Sequence, residues 1–296
     1  MILLTGASGF IGQHLLQNLI DVYGENEIVA LTSKPISSCR YILHENYSFD
    51  DNLFLENNLE SIHTIIHAGA FTPKNNEESN NITLSNSNIF NTEKLLKLNL
   101  PNLKRLIFLS TLDVYDLAEM ISEQSAVKPI SLYGFSKLYC EEMVKNWGNQ
   151  NNKLTQILRI GHVYGPGEEV YRKLIPITIS KILENKSIEI WGSGEEKRSF
   201  IYIKDAVKAI LNSIKLEEDF GIINITSSTS VTVKELVKQI IKITKPNHKI
   251  EYIASNHTSR DLVFDNSKMK KYLLSEFTSI EEGLSNEINF MKNKLN

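Results

Sequence analysis

Ile2-Leu3-Leu4-Thr5-Gly6-Ala7-Ser8-Gly9-Phe10-Ile11-Gly12 runs from an apolar strand directly into a turn punctuated by three glycines. Each glycine has a physical task when such a turn holds a phosphate. Gly6 bends the chain tightly, Gly9 lets the backbone approach a pyrophosphate, and Gly12 lets the next helix pack on the sheet with its positive end toward the phosphates. Turns collect glycine anyway, so the triplet alone is a weak signal. Here it separates an apolar strand from the amphipathic stretch 12–23 at the head of an alternating pattern. The reading is a nicotinamide-dinucleotide site, with Ser8, Phe10 and Ile11 completing the turn.

Beyond this turn, short apolar runs at 1–4, 27–32, 64–67, 106–110 and 154–160 read as strands. Helices fall between them at 12–23, 86–99 and 133–147. That alternation predicts a Rossmann-type, doubly wound parallel α/β sheet with ligands beyond the carboxyl ends of its strands. After Gly165-Pro166-Gly167 the rhythm changes to a helix at 173–183, a strand at 188–191 and helices at 200–216, 234–243 and 279–291. Residues 1–165 are therefore expected to form the dinucleotide-binding domain, with 200–224 returning to it. Residues 166–199 and 225–296 are expected to build a smaller mixed α/β substrate lobe.

The chain has 296 residues, 42% of them hydrophobic, enough to bury a large core. Its net charge of -3 is spread evenly, with no basic stripe for nucleic acid and no basic cluster for lipid. No apolar run approaches the roughly 20 residues needed to cross a bilayer, and no signal-peptide pattern follows Met1. The expectation is a cytoplasmic protein whose partner is a small molecule, with neither nucleic acid nor membrane involved. Cys39 and Cys140 are too few for a disulfide framework and too far apart for a metal-ligand pair. They read as buried thiols, and no metal is expected.

An acid at the end of the second strand would accept hydrogen bonds from a free adenosine 2′-hydroxyl. Leu31-Thr32-Ser33-Lys34 offers hydroxyls and a cation instead. Thr32, Ser33 and Lys34 suit a 2′-phosphate, so NADP(H) is favoured and NAD(H) stays open. Tyr133 and Lys137 lie four residues apart, on one face of a helix. A tyrosine with its ordinary pKa of about 10 is a poor base, but a nearby cation favours phenolate. Tyr133 can then move a proton at a sugar or alcohol oxygen while hydride moves at the same carbon. Thr111, at the carboxyl edge of the strand 106–110, is placed to hydrogen-bond that oxygen; turn chemistry is the alternative for Ser110 and Thr111.

With these residues in hand, the chain resembles the extended short-chain dehydrogenase/reductase family, the nucleotide-sugar epimerases, dehydratases and reductases. Thr5 to Gly12 matches the family's opening motif, His67-Ala68-Gly69-Ala70 a strand end, and Tyr133 to Lys137 its YxxxK. Further matches are Arg159-Ile160-Gly161-His162-Val163-Tyr164-Gly165-Pro166, Trp191-Gly192-Ser193-Gly194 and Arg198-Ser199-Phe200-Ile201-Tyr202. The resemblance implies that Tyr133 is the acid/base, that Lys137 binds the nicotinamide ribose and that Thr111 polarises the substrate oxygen. It places His67, Ala68 and Gly69 at the cofactor, and it implies a nucleoside-diphosphate sugar as partner. Arg198 would grip the diphosphate through its guanidinium fork. Arg260, in Ser259-Arg260-Asp261-Leu262, would be a second ligand on a looser match. His162 stands where many members carry an asparagine that contacts substrate, and Asn88 matches a structural asparagine. The resemblance also implies a homodimer built through the helices near Asn86 and Tyr133.

The departures bear on the reaction. In the family's 4,6-dehydratases an Asp-Glu pair follows the threonine; here the positions hold Leu112 and Asp113. Leucine cannot transfer a proton, so elimination is not expected. Lys204 replaces one of a pair of acids, leaving Asp205, and Asn91 replaces a glycine. The reading is therefore NADPH-dependent reduction of a nucleoside-diphosphate 4-keto-6-deoxyhexose. A NAD-dependent nucleotide-sugar 4-epimerase is the alternative. From another class, a non-catalytic dinucleotide-sensing protein also fits, because a fold alone never establishes activity.

Overall fold

Ile2, Leu3 and Leu4 are at most 1% exposed, as a strand covered on both faces requires. A computed structural model describes residues 1–49, 59–69, 71–227, 229–245, 247–255 and 260–295. The chain divides into two compact units. The first is Met1–Asp116, Ala126–Ile160 and Val207–Ile223; the second is Leu117–Ser125, Gly161–Ala206 and Asn224–Asn296.

In chain order the elements are β1 (Ile2–Thr5), α1 (Phe10–Tyr23), β2 (Ile28–Thr32), β3 (Arg40–Leu43), β4 (Thr64–His67), α2 (Ile82–Leu96), β5 (Arg105–Thr111), α3 (Leu132–Asn151), β6 (Leu154–Ile160), β7 (His162–Tyr164), α4 (Leu174–Leu183), β8 (Ile188–Trp191), β9 (Lys197–Tyr202), α5 (Ile203–Ser213), β10 (Ile222–Ile225), β11 (Ser230–Thr232), α6 (Val233–Thr244), β12 (Ile250–Ile253), α7 (Ser267–Tyr272) and α8 (Ile280–Leu295).

The seven-stranded sheet has the order β10-β6-β5-β4-β1-β2-β3, and the pairings from β3 across to β6 are all parallel. From β1 the chain winds outward through β2 and β3, then returns to β1's other side as β4. The strand order therefore reverses between β1 and β4, the place where an open α/β sheet opens a crevice for a ligand. Leu3, Val29, Leu31, Ile65, Leu106 and Phe108 of the sheet share one core cluster with Leu95 of α2 and Cys140 and Val144 of α3. Helix starts follow their caps: Asn81 accepts from the Leu84 amide, and Ser131 from the Gly134 amide.

The second unit holds a three-stranded sheet, β11-β9-β7, and the parallel pair β12-β8. Its helix α6 opens with a capping box between Thr232 and Glu235 and buries Leu236, Val237, Ile240 and Ile241.

Several sequence expectations shift here. Helix α2 starts a turn earlier than residue 86, at the cap Asn81. The helix read at 200–216 begins at Ile203, because Phe200 to Tyr202 finish β9. Residue 225 belongs to a strand of the seven-stranded sheet, and 117–125, 161–165, 200–206 and 224 fall in the second unit, not in the first with the remainder of 1–165 and 200–224. Cys140 is buried, whereas Cys39 is partly exposed and is no core thiol.

Candidate active site

The turn after β1 is built as its glycines require. Gly6 has φ +70, and a Cβ there would lie 2.6 Å from the Gly69 backbone. At Gly12 a Cβ would stand 2.0 Å from the Gly6 carbonyl oxygen, so α1 reaches the turn only with glycine at that position. Gly9 meets no such wall: the single neighbour of its Cβ position is the Gly6 oxygen at 3.3 Å. Its outer side is open for a ligand. Gly9 also caps α1 without a side-chain bond, and no acid sits in the first turn, which leaves the positive helix end to an anion. This cradle fits the pyrophosphate of a dinucleotide.

His67 has a different task from the cofactor contact expected of it. Thr92 Oγ1 donates to the Asn88 carbonyl at 2.8 Å, so toward His67 Nε2, at 3.1 Å, it can only accept. Nε2 therefore carries the proton, and Nδ1 accepts from Thr5 Oγ1 at 2.8 Å. Thr5 Oγ1 in turn accepts the Gly69 amide at 2.8 Å. Both ring nitrogens are committed inside the protein, and the ring, 2% exposed, ties β1 and β4 to α2. Gly69 is buried with its carbonyl accepting from the Tyr47 hydroxyl at 3.3 Å; Ala68 is half-buried, and Ala70 lies outside the described residues.

Burial, helped by the Lys137 charge, pulls the His67 pKa down to about 3 from 6.5. The folded protein thus refuses a proton that the unfolded chain accepts below pH 6.5. Stability from this group is complete above that pH and is lost as pH falls, at about 1.4 kcal/mol per unit. Urea unfolding at pH 7 and pH 5 should differ by about 2 kcal/mol more in the wild type than in His67→Gln. Equal differences in the two proteins would remove His67 from the acid response.

The end of β2 carries no acid. Thr32 is buried, and its hydroxyl donates to the Lys34 carbonyl at 3.0 Å while accepting the Lys34 amide at 3.2 Å. It therefore shapes the loop and is not turned toward a ligand, contrary to the sequence expectation. Ser33 and Lys34 are exposed. Lys34 borders a groove of about 390 Å³ with Ala7, Ser8, Gln13, Ser37 and Ser38.

At the other side of the crevice, β4 pairs with β5 only as far as Phe108, while β6 follows β5 to Thr111. Leu109 to Thr111 thus overhang β4. Lys137, 2% exposed, reaches from α3 and donates to the Leu109 carbonyl at 2.7 Å, its ammonium 4.2 Å above the Phe108 ring. Burial pulls its pKa down to about 8, against the opposing pull of Cys140 and Glu141. Thr111, 7% exposed, accepts the Asp113 amide at 3.2 Å and so caps the turn Leu112–Val114. Tyr133, 7% exposed, packs edge-on against Phe71 at 6.2 Å. Asn88 Nδ2 donates to Ser136 Oγ at 3.1 Å and Asn88 Oδ1 accepts the Phe71 amide at 2.8 Å, the structural role expected of it. Leu112 is buried at 5%.

One group escaped the sequence reading. Glu141, fully buried on α3, accepts from Arg159 Nε at 2.9 Å and Nη2 at 2.7 Å, and from Ser110 Oγ at 2.5 Å. The Arg159 guanidinium also lies 4.5 Å above the Tyr115 ring. The available signal was an arginine inside the strand-forming run 154–160, with a glutamate one turn after Lys137.

The remaining expected ligands lie in the second unit. His162 pairs with Phe200 across β7 and β9, and their rings stand 5.9 Å apart. Arg198, two residues before Phe200, shares that sheet face. Its Nη1 donates to the Lys197 carbonyl at 2.8 Å and to the Arg260 carbonyl, and Arg198 bridges Leu262 through the backbone. The Arg198 guanidinium is therefore tied to the main chain of Arg260; Ser259 lies outside the described residues.

The chain is similar to known proteins along most of its length. Residues 2–226 match the model of the NAD dependent epimerase/dehydratase family. A dTDP-D-glucose 4,6-dehydratase of Dictyostelium discoideum is 28% identical over 82% of this chain and 62% of its own length. A putative UDP-glucose 4-epimerase of Methanocaldococcus jannaschii is 26% identical over 99% of both chains. The chain spans less than half the length of longer, trifunctional relatives in Arabidopsis thaliana. The solved structure of MoeE5 in complex with UDP-glucose and NAD has a TM-score of 0.84 and 26% identity, covering 100% of this chain and 99% of that one.

Proposed function

The chain belongs to the NAD dependent epimerase/dehydratase family, and from that premise we propose that it reduces a nucleoside-diphosphate 4-keto-6-deoxyhexose with NADPH. The observation that carries this reading is the end of β2, where Ser33 and Lys34 are exposed without a carboxylate and Lys34 shares a groove with Ser8. A 2′-phosphate is attracted by that cation, and no acid is among the described residues that line the groove. Gly6, Gly9 and Gly12 would hold the pyrophosphate, and Lys137 the nicotinamide ribose.

The bound dinucleotide supplies the hydride. Thr111 would donate a hydrogen bond to the keto oxygen and Tyr133 its phenolic proton, so that charge does not build on that oxygen. The Lys137 ammonium stabilises the phenolate left behind. Arg198 and Arg260 would bind the diphosphate, and His162 would face the sugar. Leu112, buried where a dehydratase carries an acid, supports hydride transfer without elimination.

The 4-epimerase reading draws on a specific observation as well, the epimerase name of the Methanocaldococcus jannaschii relative and the NAD in the MoeE5 structure. It needs the same Thr111, Tyr133 and Lys137, but keeps its cofactor from turnover to turnover. Denaturing the purified protein and identifying the nucleotide released separates the two. An empty site that takes NADPH more tightly than NADH is the expected result. Stoichiometric release of NAD would overturn the reductase and favour the epimerase.

The helix faces around Tyr133 support a homodimer. Ile82 and Phe90 of α2 and Phe135 and Tyr139 of α3 are each more than half exposed, and α2 and α3 line a groove of about 510 Å³. Apolar side chains gathered this way on one surface call for a cover. Light scattering should report a dimer, and Phe135→Asp a monomer. A monomeric wild type would sink the proposal.

A further inference from the structure

Three elements converge on one carboxylate. Ser110 and Arg159 face each other in register across β5 and β6, so their side chains share the sheet face that α3 covers. Glu141 meets both of them from α3, and it lies one helical turn after Lys137. Among the described residues, no strand pairs with the overhang of β5 beyond β4 on that side. The overhang is held by the Lys137 bond to the Leu109 carbonyl and by the Ser110 bond to Glu141, on consecutive residues.

We propose that Glu141 is a positioning residue for Lys137: its carboxylate pins the overhanging end of β5 to α3 and keeps the Lys137 ammonium charged and aimed at the dinucleotide site. A buried ammonium is disfavoured unless an anion stands near it. Among the described residues the titratable and charged groups around Lys137 include Tyr133, Cys140 and Glu141 on α3, His67 on β4 and Arg159 on β6. Cys140 is a buried thiol whose pKa is raised, and His67 is neutral, so among the described residues Glu141 is the carboxylate acting on Lys137. The proposal rests on the dinucleotide reading of the site and not on any particular sugar.

The test titrates NADH and NADPH into the wild type and Glu141→Gln by fluorescence from pH 6 to pH 10. Wild-type affinity should fall as Lys137 loses its proton. In Glu141→Gln the midpoint of that fall should move down by about one unit. Hydrogen exchange at Leu109 to Thr111 should accelerate while Leu106 to Phe108 keep their protection. Should Glu141→Gln fail to fold, Ser110→Ala keeps the carboxylate and its arginine. It should loosen the overhang and weaken binding at all pH values, leaving the midpoint in place. An unmoved midpoint in Glu141→Gln, or unchanged binding in Ser110→Ala despite faster exchange, overturns the proposal. A wild type that binds neither dinucleotide fails the site reading itself, which the first titration shows separately.

Discussion

Tyr133→Phe should turn over nucleotide sugar about 10²- to 10⁴-fold more slowly, the range that one positioned acid or base supplies. Tyr133 is 7% exposed and its ring meets Phe71 edge to face at 6.2 Å. Phenylalanine keeps that ring and that contact, and the backbone of α3 is untouched. The dinucleotide cradle lies at Gly6, Gly9 and Gly12, so NADPH affinity should change little. The loss should therefore fall on kcat, measured as NADPH oxidation in the presence of a 4-keto-6-deoxyhexose nucleotide. A loss smaller than tenfold would give the proton to another group. Unchanged cellular function in the variant would favour the non-catalytic sensor.

The parts of this site that were legible beforehand are those where backbone geometry dictates a residue type. Gly12 is readable because any larger residue would strike the Gly6 carbonyl, and Gly6 because its φ of +70 suits glycine. Tyr133 and Lys137 are readable because a helix brings residues four apart onto one face. Strand β3 was not readable: at an edge with only Ile42 buried, it needs no apolar run. Thr32 and His67 misled for another reason. A hydroxyl and an imidazole advertise hydrogen bonding without naming the partner, and here the partners are the Lys34 backbone and the side chains of Thr5 and Thr92. Glu141 and Arg159 were opaque for the same reason, since their meaning lies in a pairing across 18 residues.

Arg159→Met should cost about 3–5 kcal/mol of unfolding free energy in urea titrations, as breaking a buried ion pair from one side does. The pair is 2% and 0% exposed, with two bonds between a guanidinium fork and a carboxylate. Methionine fills much of the space but leaves the Glu141 charge in the core beside the Ser110 hydroxyl. It also removes the cation above the Tyr115 ring. The cost is mainly that stranded charge and not lost attraction, so removing both partners should recover most of it. Arg159→Met/Glu141→Leu should be close to the wild type in stability, because desolvating two ions offsets most of what their attraction gains. If single and double variants are equally unstable, packing around Arg159 and not the charge holds this region. A stable double variant carries a second consequence: with no carboxylate beside Lys137, it should still bind dinucleotide with its pH midpoint displaced downward. A fold that tolerates loss of the pair while the pH midpoint of cofactor binding moves would place the reason for Glu141 at Lys137.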